Sequence, residues 1–412
     1  MNERFSRSPE GRSPRPVSPP AFDRREWRQP WVQLKYFSFH PQIFPAMIRE
    51  ASPAATAGSW VHVYDKEGRP FGNGLWNDRA RVPLRVFHHG VEPKGEDYLF
   101  TLLDRAMALR LDLLKLPDST DAFRVVHSDG DGLSGLIVDR FADVLSVQVH
   151  SLGLWQRLPK LLPHLHRRLG TQRTAIEVDP LIARTEGIRT SEVKSDDVHS
   201  VKIRENGVRF EVDFALGHKT GFFCDQRDNR RRLADWTKDR RVLDLCCYTG
   251  GFSLFAKLAG AATEVTGVDL DELAISQAKR HGNLNNARIN WVHCDAFSFA
   301  RQMRKDGKRF DVVVLDPPKL VFSQDEGDEG LRKYEDLNIL GISIIEPGGL
   351  LVTCSCSGQL SAEEFERLVI RAAQKMDRQL QILDRTGAAL DHPVMANCPE
   401  GRYLKVIWAR VW

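Results

Sequence analysis

Two hydrophobic rhythms divide the chain. From about residue 215, apolar runs with little polar alternation are separated by glycine turns and stretches of helical spacing. RRVLDLCC, TEVTGVDL, INWVHCD, FDVVVLD and GGLLVTCSCS read as strands, and GGFSLFAKLAG and DELAISQAKRHGNLN as helices. Strands of this kind are buried on both faces, as in a parallel sheet covered by helices, so 215–412 is predicted to be a doubly wound α/β domain. Upstream the runs are shorter. SWVHVYD and VPLRVFHH, broken by turns such as KEGRPFGNG, predict a small β-rich module over 31–104. Apolar spacing over 98–114 predicts a helix, and FRVVHSDGDGLSGLIVDRFADVLSVQVH reads as further strands. With a helix from about Trp155 to Leu169, residues 105–214 become a central α+β region. Residues 1–30 carry seven Arg and six Pro with little to bury, which predicts a disordered basic arm. There is no internal repeat.

Composition narrows the picture. The chain has 412 residues, 42% hydrophobic and 28% charged, with a formal charge of +4, which permits nucleic acid as a partner without demanding it. No long apolar window and no signal-peptide core occur, so a cytoplasmic protein without a membrane partner is expected. Seven cysteines without a CxxC pair argue against a disulfide scaffold and a structural metal. They are core filler or, in one case, a nucleophile.

In doubly wound sheets, ligands sit beyond the carboxyl ends of the strands. The first strand ends at Asp244, followed by Leu-Cys246-Cys-Tyr248-Thr249-Gly250-Gly251 and a helix, so free amides face a ligand and glycines let the backbone approach it. G-x-G-x-x-G would need glycine at Cys246 and Ser253, so a pyrophosphate cradle is disfavoured. The second strand ends in Asp269, suited to both hydroxyls of a ribose. The third ends in Asp295, which either meets an adenine edge or caps the next helix. The fourth ends in Asp316-Pro317-Pro318-Lys319, where two prolines fix the backbone at the edge of the crevice.

Taken in order, VLDLCCYTGG, GVDLD, HCDAF and LDPPK resemble the successive motifs of class I S-adenosylmethionine-dependent methyltransferases. The resemblance implies a Rossmann-like methyltransferase domain with S-adenosylmethionine as cofactor. The fifth strand ends in Cys354-Ser355-Cys356-Ser357-Gly358, and residues two apart on a strand face the same side. Carbon 5 of a pyrimidine is not nucleophilic. A thiolate adding to carbon 6 makes it so, and a carboxyl such as Asp316 at the pyrimidine edge would stabilise the adduct. The competing reading is that both cysteines merely fill the strand end.

GHKTGFFCDQRDNR (217–230), DLCCYTGGFS, DPPK, SCSG and DHPVMANCPEGRYLK (391–405) together resemble the RlmI-type large-subunit ribosomal RNA cytosine methyltransferases. That family implies an N-terminal PUA-like RNA-binding β-barrel, a central α+β domain and the catalytic domain. It implies rRNA as partner and puts the catalytic cysteine on Cys356 with Asp316 beside it. Lys219, Thr220, Gly221, Asp225 and Gln226 would close over the donor, joining Asp244, Cys246, Tyr248, Thr249, Gly250, Asp269, Asp295 and Asp316 in binding it. Arg227, Pro317 and Lys319 would serve the substrate; Lys319 reads equally as a surface lysine. Arg227, Arg230 and Arg231 share a helical face that either steers phosphate or is simply solvated. Gln42 stands where the family tends to have Trp, and Cys246 where it often has Phe. Reaching carbon 5 requires a flipped or unpaired cytosine. Methylation of guanine nitrogen 7 or an exocyclic amine, and a non-catalytic RNA-binding relative, are the alternatives. Homodimerisation is left open.

Overall fold

A computed structural model describes residues 23–214, 221–321 and 327–412. Lys219 and Thr220 lie outside the described residues. Residues 1–22 of the arm expected over 1–30 also lie outside the described residues, whereas 23–30 are ordered. Asp23 caps a turn at Arg24–Glu26, and Trp27 stacks on Tyr64 with ring centroids 4.1 Å apart, so residues 23–30 belong to the first module.

That module is a six-stranded sheet of β1 (Trp31–Leu34), β2 (Gln42–Ile43), β3 (Ile48–Ala51), β4 (Trp60–Tyr64), β5 (Pro70–Trp76) and β6 (Leu84–His89). Val32, Leu34, Val61, Val63 and Leu84 form its core. The central region follows as α1 (Tyr98–Ala108), β7 (Ala122–His127), β8 (Leu136–Phe141), β9 (Val144–Val149), α2 (Leu152–Leu169), β10 (Arg173–Glu177) and α3 (Pro180–Glu186). Its four strands run in the order β10-β9-β8-β7, with Phe123 and Trp155 in the core beneath α1 and α2. The hairpin β11 (Ser200–Glu205) and β12 (Val208–Asp213) turns at Asn206-Gly207, both at positive φ, the two-residue turn that suits strand twist.

The C-terminal domain contains α4 (Arg227–Ala234), β13 (Arg241–Leu245), α5 (Gly251–Leu258), β14 (Glu264–Asp269), α6 (Glu272–Leu284), β15 (Asn290–His293), α7 (Ala296–Lys305) and β16 (Phe310–Leu315). It continues through α8 (Gly327–Ser343), β17 (Ile345–Ser355), α9 (Ala362–Gln374), β18 (Leu380–Thr386) and β19 (Lys405–Val411). The sheet order is β15-β14-β13-β16-β17-β19-β18. The first five strands are parallel, and Val242, Leu243, Val313 and Val314 are fully or almost fully buried, as apolar runs covered on both faces require. Strands β19 and β18 add antiparallel, a departure from a wholly parallel sheet. Chain direction across the sheet reverses between β13 and β16, and a ligand crevice belongs there.

Candidate active site

At that reversal the backbone amide of Asp316 donates to Leu245 O, joining the tips of β16 and β13. Beyond them lies a cleft of about 440 Å³. One wall is the turn after β13, with Cys246, Tyr248, Thr249 and Gly251; the floor includes Asp269 from β14. Asp316, Pro317 and Cys356 close the other side, and Phe222, Phe223, Asp225, Gln226 and Arg230 reach over from the segment preceding β13.

Each carboxylate oxygen of Asp269 accepts one backbone amide, from Tyr248 at 2.8 Å and Asp271 at 2.9 Å. A carboxylate oxygen offers two lone pairs, so this rigid acid retains capacity for two ribose hydroxyls. Cys246 and Tyr248 sit at φ 62° and 50°, a left-handed conformation that costs a side-chain-bearing residue about 1–2 kcal/mol and recurs at ligand turns. The turn is braced from behind by His281. Its Nδ1 donates to Thr249 O at 2.9 Å while Nε2 accepts from the Glu211 amide, and burial lowers its pKa, keeping the ring neutral.

Asp316 is partly buried, and desolvation together with nearby Asp225 pushes its pKa up to about 7, against the lowering effect of Gln226 and Cys354. Gln226 Nε2 donates to both Asp316 oxygens. The Cys354 thiol also hydrogen-bonds Asp316; complete burial raises its pKa well above normal, so it acts as a donor behind the carboxylate and does not line the cleft. Cys356, two residues on, packs on the same side and does line it. The loop carrying Cys356 is held by Lys405, whose Nζ donates to Ser357 O at 2.6 Å and Leu360 O at 2.8 Å. Burial lowers the Lys405 pKa to about 8, opposed by attraction to Cys356.

The profile of S-adenosylmethionine-dependent methyltransferases matches residues 187–388, and that of PUA-like domains matches residues 29–89. Ribosomal RNA large subunit methyltransferase I of Shewanella frigidimarina is 35% identical over 90% of this chain and 96% of its own. The protein of the same name from Alteromonas mediterranea is 35% identical over 89% and 93%. The chain belongs to the ribosomal RNA large subunit methyltransferase I family. Among solved structures, a methyltransferase complexed with SAH superposes with a TM-score of 0.73, and an S-adenosylmethionine-dependent methyltransferase from Streptococcus mutans with 0.72. Each is 20% identical and covers 86% of this chain and 91% of its own, which shows a shared fold.

For a methyltransferase of this family the cleft fits S-adenosylmethionine: a fixed acid at the β14 tip, a strained turn, and aromatic walls in which Phe223 and Tyr248 meet edge to face at 5.2 Å. Several expected donor residues have other posts. Asp244 lies beneath the turn and does not line the cleft; its Oδ2 accepts from Ser253 N and Oγ at 3.0 and 2.7 Å, and burial raises its pKa to about 7. Gly250, at φ 85°, makes room for protein: a Cβ there would lie 2.3 Å from the Trp291 ring. Asp295 accepts from Ser298 N as the cap of α7 and is not among the lining residues. Gly221 lines a smaller adjoining hollow with Tyr248 and Thr249.

Two of the three arginines on the α4 face are buried in ion pairs, and the third is solvated. Arg227 is buried against Asp391 at 2.7 and 3.1 Å, and Arg230 against Glu205 at 2.8 Å, while exposed Arg231 pairs with Asp235. Arg227 does not reach the cleft; Pro317 does, and Lys319 is not among the lining residues. Sequence reasoning missed Tyr403, whose hydroxyl donates to Asp225 at 2.6 Å, along with Lys405 and His281. The RYLK run carried the first two, but its charge and hydroxyl have no visible partner in one dimension.

Proposed function

We propose that the chain transfers a methyl group to carbon 5 of a cytosine in large-subunit rRNA, with Cys356 as covalent nucleophile. The observation that carries this reading is that Cys356 and Asp316, at the tips of neighbouring strands β17 and β16, line one cleft with the donor turn. Asp269, the 246–251 turn and Phe222–Phe223 would hold S-adenosylmethionine, which would supply an electrophilic sulfonium methyl. The Cys356 thiolate adds to carbon 6, and carbon 5 becomes an enamine-like nucleophile toward that methyl. Loss of the carbon 5 proton and departure of the sulfur restore the base. With a pKa near 7, Asp316 holds a proton for part of the time and serves the pyrimidine edge as donor or acceptor. Buried Cys354, with its raised pKa, is a poor candidate for the base that removes the carbon 5 proton. The rRNA substrate is suggested by the names of the relatives and would place the reaction in the cytoplasm.

Large-subunit rRNA transcribed with 5-fluorocytidine tests the reading, because fluorine blocks loss of the carbon 5 substituent. The expected result is a denaturant-resistant protein–RNA adduct that Cys356→Ala abolishes while donor binding stays within about threefold. Methylation surviving in Cys356→Ala, or product methylated on nitrogen, would overturn it.

A further inference from the structure

The loop between β1 and β2 meets the segment between β18 and β19 where the N-terminal module touches the catalytic domain. There His40, Cys398 and Glu400 bring ligand atoms of three kinds, nitrogen, sulfur and oxygen, within 4.8 Å of one another. His40 Nε2 lies 3.0 Å from Glu400 Oε1. Its Nδ1 lies 3.0 Å from both the carbonyl oxygen and the amide nitrogen of Gln42, and the tautomer that donates to that carbonyl leaves the Nε2 lone pair free to face a metal. The Gln42 amide donates to Asp129 Oδ2 at 2.9 Å, leaving Oδ1 buried without a hydrogen-bond partner. Asp129 lines the same cavity, of about 290 Å³, as the three ligand residues. Hydrogen bonding alone accounts for His40 and Glu400 but leaves that oxygen unexplained.

We propose that His40, Cys398 and Glu400 bind a zinc ion that fastens the N-terminal module to the catalytic domain. His40 ligates through Nε2, Glu400 through a carboxylate oxygen and Cys398 as thiolate, its proton released to solvent. A water or the spare Asp129 oxygen completes a tetrahedron. Nitrogen, thiolate and carboxylate together favour zinc over magnesium or calcium. Spacing gave no hint of it, because the ligands come from opposite ends of the sequence.

Tag-free full-length protein, stripped by chelator and titrated with zinc against a chromophoric competitor, is expected to take up about one equivalent. Cobalt in its place is expected to give the near-ultraviolet thiolate charge-transfer band. His40→Asn and Cys398→Ser should each reduce uptake to below about a tenth of an equivalent, and Cys398→Ser should remove the band. Thermal melts check that both variants fold, and the half-buried His40 keeps the test decisive if Cys398→Ser does not. Stoichiometric uptake that persists in folded His40→Asn, or no uptake by the parent protein, would overturn the proposal.

Discussion

Gln226 Nε2 stands 3.1 Å from each carboxylate oxygen of Asp316, and its orientation is set by residues well outside the cleft. Trp408 Nε1 donates to Thr386 Oγ1, Thr386 to Asn229 Oδ1, and Asn229 Nδ2 to Gln226 Oε1, at 2.8, 2.7 and 2.7 Å. With its oxygen occupied, the amide can present only its nitrogen to Asp316. The antiparallel end of the sheet thus orients the group that faces Asp316.

Replacing Gln226 with Leu removes a hydrogen bond that lowers the Asp316 pKa, so that pKa should rise above its value of about 7. Methyl transfer at neutral pH is expected to fall about 10–100-fold with donor affinity within about threefold, since the lost contact acts on the acceptor. The pH at which activity is half-maximal should move upward; single-turnover methylation across pH reads both. An unshifted profile would contradict the role given to Gln226.

Asp316 should destabilise the protein at neutral pH. Its folded pKa of about 7 exceeds an unfolded value near 3.9, so the folded state holds the proton more tightly. Stability contributed by the protonated form is complete below about pH 4 and is lost as pH rises through about 7. Asp316→Asn is therefore expected to be more stable than the parent by about 1–3 kcal/mol at about pH 8, with the difference shrinking toward about pH 4. Turnover should drop by at least about 100-fold. Asp244, also raised to about 7, leaves a residual slope in both proteins. Denaturant melts at several pH values measure the difference.

The Arg227–Asp391 pair is fully enclosed, and Asp391 also accepts the Arg124 amide at 2.9 Å and contacts His392. It joins α4 to β7 of the central region. Arg227→Met is expected to cost about 3–5 kcal/mol by stranding the carboxylate, and adding Asp391→Asn to recover part of that. A double variant whose loss of stability equals the sum of the two single losses would show that the charges are not coupled. Donor affinity at the permissive temperature should be unchanged.

The sequence made the parallel strands legible because each is buried on both faces and so reads as an unbroken apolar run. It made the pairing of Cys354 and Cys356 on one side legible too, because a strand has a period of two. Residue β18 positions alternate between exposed and partly buried, a weaker pattern, and the antiparallel end went unread. Arg227 and Arg230 looked like surface charge because Asp391 and Glu205, which neutralise them, are remote in sequence. Gly250 was legible as a turn glycine, but the neighbour that forbids a side chain there, Trp291, comes from another strand. Local chemistry could be read from one dimension; the partner that decides between burial and exposure could not.

Strand β19 lies between β17 and β18 although it follows both in the chain. During synthesis, β17 and the cysteine at its tip must therefore wait beside an open slot until Lys405–Val411 leaves the ribosome. Only then are the carbonyls of Ser357 and Leu360 capped by Lys405 and the Thr386 hydroxyl met by Trp408. A nascent or truncated chain that stops before Lys405 would carry every residue proposed for catalysis and still lack the supports that aim them, so competence for methyl transfer waits on translation of β19.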